Sequence, residues 1–166
     1  METGFSLGTN QGDVLANMQE AKRRILAFPD TEWVAQSVLY ETEPVGVAPE
    51  YAHLRFLNSV LVVESPCTPA EWLQRLRQIE ADMGRERSAD RNSPRPIDVD
   101  ILYAGDECID RGDLVVPHPR WAQRRFVVQP LADVRPNLIL PGAGRTVSDI
   151  LAQLEGEEVT PTTQSW

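Results

Sequence analysis

Two capped amphipathic helices, each preceded and followed by a short apolar run, limit the architectures open to this chain of 166 residues. The clearer helix starts after Thr68, where Pro69 and Glu71 complete an N-cap, a first-turn proline and a capping box, and its apolar face continues to Gly84. Asp13 stands where it can cap an earlier helix of the same periodicity. Helices of this kind must bury one face, and the runs beside them supply a sheet for them to cover.

Four short apolar runs supply the strands, at residues 5–7, 32–42, 56–63 and 97–103. The Gly105-Asp106 pair is predicted to fold the last run into a hairpin. The order of strand, helix, strand, strand, helix, strand predicts an α+β fold. It is expected to be a ferredoxin-like, split-βαβ sandwich with a mostly antiparallel sheet and helices packed on it.

The pattern of the C-terminal third indicates that it completes the same domain. A short helix near Trp121 and a final helix over residues 146–154 follow the last strand. We therefore expect residues 1–155 to form a single domain. Residues 156–166 are polar and are predicted to fray.

The formal net charge of −9 argues against a general nucleic-acid binder or a protein of anionic membranes, because both need a basic surface. No apolar run approaches the roughly 20 residues of a membrane-spanning helix, and the first residues lack the regions of a signal peptide. Cys67 and Cys108 lie far apart and outside metal-binding spacings. We therefore expect a cytoplasmic protein with two ordinary buried thiols and with neither nucleic-acid nor membrane partners.

The chemistry is concentrated in Asp98-Val99-Asp100, which interrupts an otherwise apolar strand. Side chains two apart share one face of a strand, so both carboxylates point the same way. Such a pair is costly unless it is solvated, shares a proton or holds a hard cation, and Mg²⁺ with substrate phosphates suits these oxygens. An edge strand with a solvated polar face explains the same pattern equally well.

A loop rich in arginine precedes this strand and favours the metal hypothesis. Four arginines fall within eleven residues, at positions 85, 87, 91 and 95. Cations beside paired carboxylates suit phosphoryl transfer, where metal ions hold nucleotide oxygens and arginines meet developing charge. A P-loop motif is absent from the sequence, so the arginines would replace its lysine.

Two other function classes can use parts of this pattern. A two-metal phosphodiesterase or nuclease should carry further His, Asp or Glu ligands in metal spacing, yet the chain has only two histidines. A ferredoxin-like RNA-binding module should carry basic-aromatic strand motifs and a positive charge. The sequence has neither feature.

A set of motifs in fixed order resembles the 6-hydroxymethyl-7,8-dihydropterin pyrophosphokinase family of folate biosynthesis. The central matches are Arg85-x-Arg87, the run over residues 93–102 and Val116-Pro117-His118-Pro119-Arg120. Further matches lie at residues 7–10, 37–46 and 56–58, and the set spans residues 5 to about 140. Each short motif is weak alone, and the ordered set is specific.

The resemblance implies a magnesium-dependent transferase that moves the pyrophosphoryl group of ATP to the hydroxymethyl group of the dihydropterin and releases AMP. It implies two Mg²⁺ ions between Asp98, Asp100 and the ATP phosphates, with Arg85 and Arg95 as catalytic arginines. The resemblance compels no residue to act as base, and Asp98, near the hydroxyl through metal or water, is our candidate. The pterin would contact Thr42, Val45, Phe56, Asn58 and Phe126. The nucleotide would contact Glu80, Arg87, Ile101, His118 and Arg124. The expected partners are these two small molecules, and the expected state is a monomer.

Overall fold

The structure, a computed structural model, describes residues 1–44, 48–85, 94–156 and 159–166. Within these residues one antiparallel sheet has the strand order β5-β1-β4-β3-β8, and β2 pairs with β4 beside β3. The strands are β1 (Glu2–Thr9), β2 (Glu32–Gln36), β3 (Tyr40–Thr42), β4 (Phe56–Glu64), β5 (Asp98–Ala104) and β8 (Thr160–Pro161). The mostly antiparallel sheet and the α+β class agree with the predicted fold.

The helices begin where the capping residues predict. Asp13 accepts a hydrogen bond from the Ala16 N–H (3.1 Å) at the start of α1 (Val14–Leu26). Thr68 Oγ1 accepts from the Glu71 N–H (3.2 Å) at the start of α2 (Pro69–Asp82). The remaining helices are α3 (Arg125–Val134) and α4 (Val147–Gln153), and single 3₁₀ turns cover Pro49–Tyr51 and Trp121–Gln123.

Two apolar cores lie on opposite faces of the sheet. One core joins α1 and α2 to the sheet through side chains such as Phe5, Leu7 and Trp72. The other joins α3 and α4 to it through Val60 and Leu131. Along β4 the side chains alternate between the two cores, with Leu61 and Val63 in the first and Val60 and Val62 in the second, so the sheet is the middle of three layers.

The first strand is longer than its apolar run predicts. Residues 5–7 are the predicted strand, whereas β1 extends over eight residues and lies between β4 and β5. The additional positions include Thr3 and Gly4. Both are buried in the sheet, but a search for apolar side chains does not select them. A Cβ at Gly4 would lie 2.3 Å from Cε1 of Tyr103 on the neighbouring strand, so the glycine makes room for that ring.

Two predictions on strand pairing need correction. The run at residues 32–42 forms two strands, because residues 37–39 leave the ladder between β2 and β3. Gly105 and Asp106 do turn the chain, but β6 (Ile109–Arg111) pairs with β7 (Leu114–Val116) and not with β5. Turn residues mark where a chain reverses, and they do not specify which strand it then meets.

The described part of the C-terminal segment does not fray but returns to the sheet. Strand β8 pairs with β3, and the Thr162 N–H donates to the Leu39 carbonyl (2.9 Å). Trp166 Nε1 donates to the Ser37 carbonyl (2.8 Å), and its ring packs at the edge of the α1–α2 core. Hydrogen bonds to a sheet edge and one aromatic side chain therefore hold a segment of mostly polar sequence. Among the described helices, none is long and apolar enough to span a lipid bilayer.

Candidate active site

A cavity of about 460 Å³ opens on the α3 side of the sheet. Because alternate side chains share a face, Ser6 and Gly8 of β1, Asn58 of β4 and both aspartates of β5 point into it. The start of α3 forms the facing wall. The cavity brings together nine of the residues predicted from the resemblance: Thr42, Phe56, Asn58, Arg95, Asp98, Asp100, His118, Arg124 and Phe126.

One end of the cavity combines aromatic and amide side chains. The rings of Phe56 and Phe126 both line it. Asn58 Nδ2 donates to Thr42 Oγ1 (2.8 Å), and both residues are buried. A Cβ at Gly8 would lie 3.1 Å from Asn58 Oδ1, so the glycine leaves space for the amide. Such an end suits a flat ring with hydrogen-bonding groups along its edge.

The other end holds the carboxylate pair together with two guanidinium groups. Arg85 Nη1 donates to Asp98 Oδ1 (2.7 Å), and Arg95 Nη1 donates to Asp98 Oδ2 (3.4 Å). Burial, and then the charge of Asp98, raise the pKa of Asp100 to about 7. Asp98 is therefore compensated by two cations, while Asp100 holds a proton more readily than an ordinary aspartate does.

A second cavity of about 180 Å³ lies on the α2 side of the same carboxylates. Its wall includes Leu73 and Leu76 of α2, and Arg77 and Asp113 form an ion pair beside it (2.5 Å). Asp98 and Asp100 line both cavities, so they lie at the junction of the two. The arrangement can bring two substrates to one pair of carboxylates.

Glu80 lies beneath this junction and is buried. It accepts hydrogen bonds from Arg85 and, at 3.4 Å, from the Val99 N–H. Burial, and then the charge of Asp98, raise its pKa to about 7. Glu80 thus connects the arginine that follows α2 to the strand that carries the aspartates.

His118 faces the pair from the segment after β7. Its Nδ1 accepts from the Arg120 N–H (3.1 Å), and its Nε2 lies 3.9 Å from Asp100 Oδ2. Burial, and then the charge of Arg124, lower the His118 pKa. At neutral pH the ring is therefore uncharged, and its remaining proton is on Nε2, which points toward Asp100.

The donor set fits a hard divalent cation that shares its coordination with a ligand. Two carboxylates on one strand face supply oxygen atoms, which Mg²⁺ prefers, and leave positions open for phosphate oxygens and water. The described residues contain no group of three or more His, Cys, Asp or Glu placed to hold an ion by themselves. A cation here would need oxygens from the substrate, as in many nucleotide sites.

Three of the predicted residues are not among the described residues that line the cavities. The side chain of Ile101 is buried in the α1–α2 core, on the face opposite the aspartates, so only its main chain can meet a ligand. Val45 and Arg87 lie outside the described residues. Their assignments remain predictions from the resemblance.

The sequence reasoning missed several residues that line the cavities. Arg125 could have been found from its place between Arg124 and Phe126, whereas Glu155 and Gly156 carry no local signal. Arg77 and Asp113 are far apart in the sequence but form an ion pair in the fold, and no short motif reveals such a contact. These side chains are brought to the site only by the tertiary fold.

Comparison with known proteins identifies the family. A sequence model of 7,8-dihydro-6-hydroxymethylpterin-pyrophosphokinase (HPPK) matches residues 4–136. The 2-amino-4-hydroxy-6-hydroxymethyldihydropteridine pyrophosphokinase of Pseudomonas aeruginosa is 37% identical over 158 residues, which are 94% of this chain and 94% of that protein. The folate synthesis bifunctional protein of Arabidopsis thaliana is 39% identical over 133 residues, which are 80% of this chain and 27% of that longer protein.

The fold comparison agrees. A crystal structure of Plasmodium falciparum HPPK-DHPS with pterin and p-hydroxybenzoate matches 92% of this chain and 43% of that chain with a TM-score of 0.69 and 16% identity. At that identity the match concerns the fold alone. The sequence matches extend over most of the chain, and the fold agrees with them. The chain therefore belongs to the 7,8-dihydro-6-hydroxymethylpterin pyrophosphokinase family.

Proposed function

We propose that this chain transfers the pyrophosphoryl group of ATP to the hydroxymethyl oxygen of 6-hydroxymethyl-7,8-dihydropterin, giving the pterin diphosphate and AMP, in folate biosynthesis. Membership of the family supports the reaction. The observation that carries the assignment of residues is the position of Asp98 and Asp100 at the junction of two cavities, with Arg85 and Arg95 on Asp98. Each cavity would take one substrate.

The pterin would bind in the larger cavity. Its ring would contact the faces of Phe56 and Phe126, and its polar edge would meet Asn58 and Thr42. The Asn58–Thr42 hydrogen bond supports this role because it fixes the orientation of the amide before any ligand arrives. Val45 would complete this subsite by the family resemblance.

The nucleotide would extend from the junction into the smaller cavity. Leu73 and Leu76 offer an apolar wall to the base, and Ile101 would contribute its main chain at the exposed edge of β5. Arg124 and His118 would meet phosphate oxygens from the side of α3. Arg87 is assigned to the nucleotide by resemblance, and Glu80 would act on it through Arg85.

Asp98 and Asp100 would hold magnesium, for which the resemblance implies two ions. Bound there, magnesium would supply positive charge that offsets the charge of the phosphate oxygens. The residues of the chain would hold both substrates in line, which removes translational freedom and contributes several kcal/mol. Asp98 is our candidate for the group that takes the hydroxyl proton, directly or through water.

The two arginines would change partners during the reaction. In the structure both guanidinium groups bind Asp98, and phosphate oxygens offer them a competing acceptor that a guanidinium can bind bidentately. Contacts that strengthen as charge develops in the transition state lower the barrier, each by about 3 kcal/mol. We therefore assign Arg85 and Arg95 to stabilising that charge.

Single-turnover kinetics with both substrates bound tests this proposal. We expect Arg85→Ala and Arg95→Ala to lower the rate of AMP formation by roughly 100-fold or more, since each removes a contact worth about 3 kcal/mol. Lys at either position should restore part of the rate, because it keeps the charge but not the planar fork. Arg23→Ala is the matched control, since Arg23 is exposed on α1 and pairs only locally with Glu20. An unchanged chemical step in both alanine variants would refute the catalytic assignment.

We also propose that the enzyme acts as a monomer in the cytoplasm. Residues of one chain line both cavities, so no second copy is needed to complete them. Both cysteines are free, and Cys108 is exposed, as is usual in a reducing compartment. A single species of monomer mass by sedimentation under assay conditions is the expected result.

A further inference from the structure

A single buried residue at the end of β1 holds the main chain of Arg95 on both sides. The Asn10 N–H donates to the Arg95 carbonyl (3.2 Å), and Asn10 Oδ1 accepts from the Arg95 N–H (2.8 Å). Asn10 is only 3% exposed. One side chain and its own backbone therefore satisfy both polar groups of a residue that is distant in sequence.

The sequence around Arg95 makes this contact distinctive. Arg95 lies between Pro94 and Pro96, and a proline has no backbone N–H. Arg95 is consequently the one residue of this tripeptide that can donate a main-chain hydrogen bond, and Asn10 accepts it. The prolines also restrict the backbone on either side, so an anchor at Arg95 fixes the direction in which its side chain leaves.

The direction of the Arg95 side chain determines where its guanidinium group lies at the junction of the two cavities. Arg95 Nη1 lies 3.4 Å from Asp98 Oδ2 and lines the larger cavity. A displacement of about 1 Å at a group of this kind can cost about 100-fold in rate. The main-chain anchor is thus a means of limiting the displacement of the guanidinium.

We propose that Asn10 is a positioning residue for catalysis, which acts on the reaction only through Arg95. Asn10 is not among the described residues that line either cavity, and its Nδ2 has no hydrogen-bond partner in the described part of the chain, so its effect comes from the acceptor Oδ1 and the backbone. The proposal rests on the catalytic role proposed above for Arg95.

A purely structural role for Asn10 would have different consequences. The same turn is also held by Asn17, whose Nδ2 donates to the Gln11 carbonyl (2.8 Å) from α1. Asn17 makes no contact with Arg95 among its described hydrogen bonds. If Asn10 only stabilised the turn, its loss and the loss of Asn17 would have similar effects on activity.

The test is a double-mutant cycle read by single-turnover kinetics. We expect Asn10→Ala to lower the rate of the chemical step about 10- to 100-fold, with the KM for the pterin unchanged. In an Arg95→Ala background the same substitution should lower the rate less than about twofold, because the residue it positions is already gone. Asn17→Ala, the matched control, should leave the rate near that of the wild type. Equal losses in both backgrounds, or equal losses for Asn10→Ala and Asn17→Ala, would overturn the proposal.

A further variant guards against a failure of the first one to fold. If Asn10→Ala does not fold in urea titrations, Asn10→Ser replaces it in the cycle, since its side chain is too short to reach the Arg95 N–H.

The cycle also separates the two proposals. If Arg95→Ala alone leaves the chemical step unchanged, the proposed catalytic role of Arg95 fails, and the inference about Asn10 fails with it. If Arg95→Ala slows the step and Asn10→Ala does not, only the inference about Asn10 fails.

Discussion

Arg85 is a more constrained residue than an arginine before a loop usually is. Its side chain is only 18% exposed, and it pairs with buried Glu80 and with Asp98. The charges of Asp98 and Glu80 outweigh the effect of burial and raise its pKa. Removing it leaves carboxylates uncompensated, so Arg85→Ala will affect stability more than the roughly 0 to 1 kcal/mol of a solvated surface pair. Arg85→Lys is therefore the better variant for separating rate from folding.

The raised pKa of Asp100 gives a prediction on stability and pH. Burial, and then the charge of Asp98, raise the pKa of Asp100 from its ordinary 3.8 to about 7, so the native state binds more protons than the unfolded state between these values. Without metal, the contribution of Asp100 to the free energy of unfolding falls as pH rises from about 4 to 7. In EDTA, Asp100→Asn should therefore be closest to the wild type near pH 4 and be more stable than it at pH 8. Urea titrations at both pH values measure this difference.

The comparison of variant with wild type is needed because His118 titrates in the same range. Its pKa is lowered, so its contribution to stability grows as pH rises through about 6.5. A difference between Asp100→Asn and the wild type that is independent of pH would contradict the assignment of the raised pKa to Asp100.

At this scale the sequence predicts the chemistry of residues on one strand and little else. The two-residue period of a strand is enough to place Asp98 and Asp100 on one face and Ile101 on the other. It cannot show that Asn10 meets Arg95 or that Arg77 meets Asp113, because these contacts depend on how distant elements pack. The roles of Phe56 and Phe126 are predicted only from the ordered motifs that resemble the family.

The start of a helix has a local cause in the sequence, whereas the pairing of a strand depends on distant residues. The starts of α1, α2 and α4 follow from Asp13, Thr68 and Thr146, since a capping side chain acts within its own turn. The partners of β6 and β8 follow from no local signal, and the predicted hairpin between the 97–103 strand and the segment that forms β6 is wrong. Local side-chain chemistry fixes where an element begins, while its neighbours are chosen by the whole chain.

Strand β1 depends on one glycine for its fit against β5. A Cβ at Gly4 would collide with the ring of Tyr103, which is 2% exposed and whose hydroxyl donates to Glu2 Oε2 (2.6 Å). We expect Gly4→Ala to lower the free energy of unfolding by about 1–3 kcal/mol, as overpacking in a core does. Urea titration measures the loss. In a Tyr103→Leu background the smaller side chain should remove most of it, and an equal loss in both backgrounds would show that the ring is not the cause.

The C-terminal segment should stabilise the fold through Trp166. Its ring is partly buried, its Nε1 donates to the Ser37 carbonyl, and Lys22 Nζ lies 5.5 Å from the ring centroid. We expect Trp166→Ala to cost about 2 kcal/mol, roughly half the loss for a fully buried aromatic. Trp33→Ala is the control, since that ring is 51% exposed and its loss should stay within about 0.5 kcal/mol. Thermal unfolding that is equally affected by both changes would mean that the segment is only loosely attached.

For the whole molecule, the three-layer arrangement places two binding cavities on one edge of a single sheet. The larger cavity uses the α3 side and the smaller one the α2 side, and the edge strand β5 lies between them with Asp98 and Asp100. Binding in either cavity would therefore stabilise one cooperative unit, and apart from Asp98 and Asp100, which line both, the two cavities have different described lining residues. The net charge of −9 opposes an anionic substrate over most of the surface, which makes the local cations of this edge the more important.

This separation predicts how ligands will shift the unfolding of the whole protein. At 100 times its Kd, a ligand that binds only the native state adds about 2.7 kcal/mol to the free energy of unfolding. We expect Mg²⁺ with a non-hydrolysable ATP analogue to stabilise Phe56→Ala by about as much as the wild type, because Phe56 lines only the larger cavity. The pterin should stabilise Asp98→Ala but not Phe56→Ala, and the nucleotide should fail to stabilise Asp98→Ala. Denaturant titrations with each ligand measure all four shifts. If each variant loses both shifts, the two cavities are not independent sites, and the division of substrates between them is wrong.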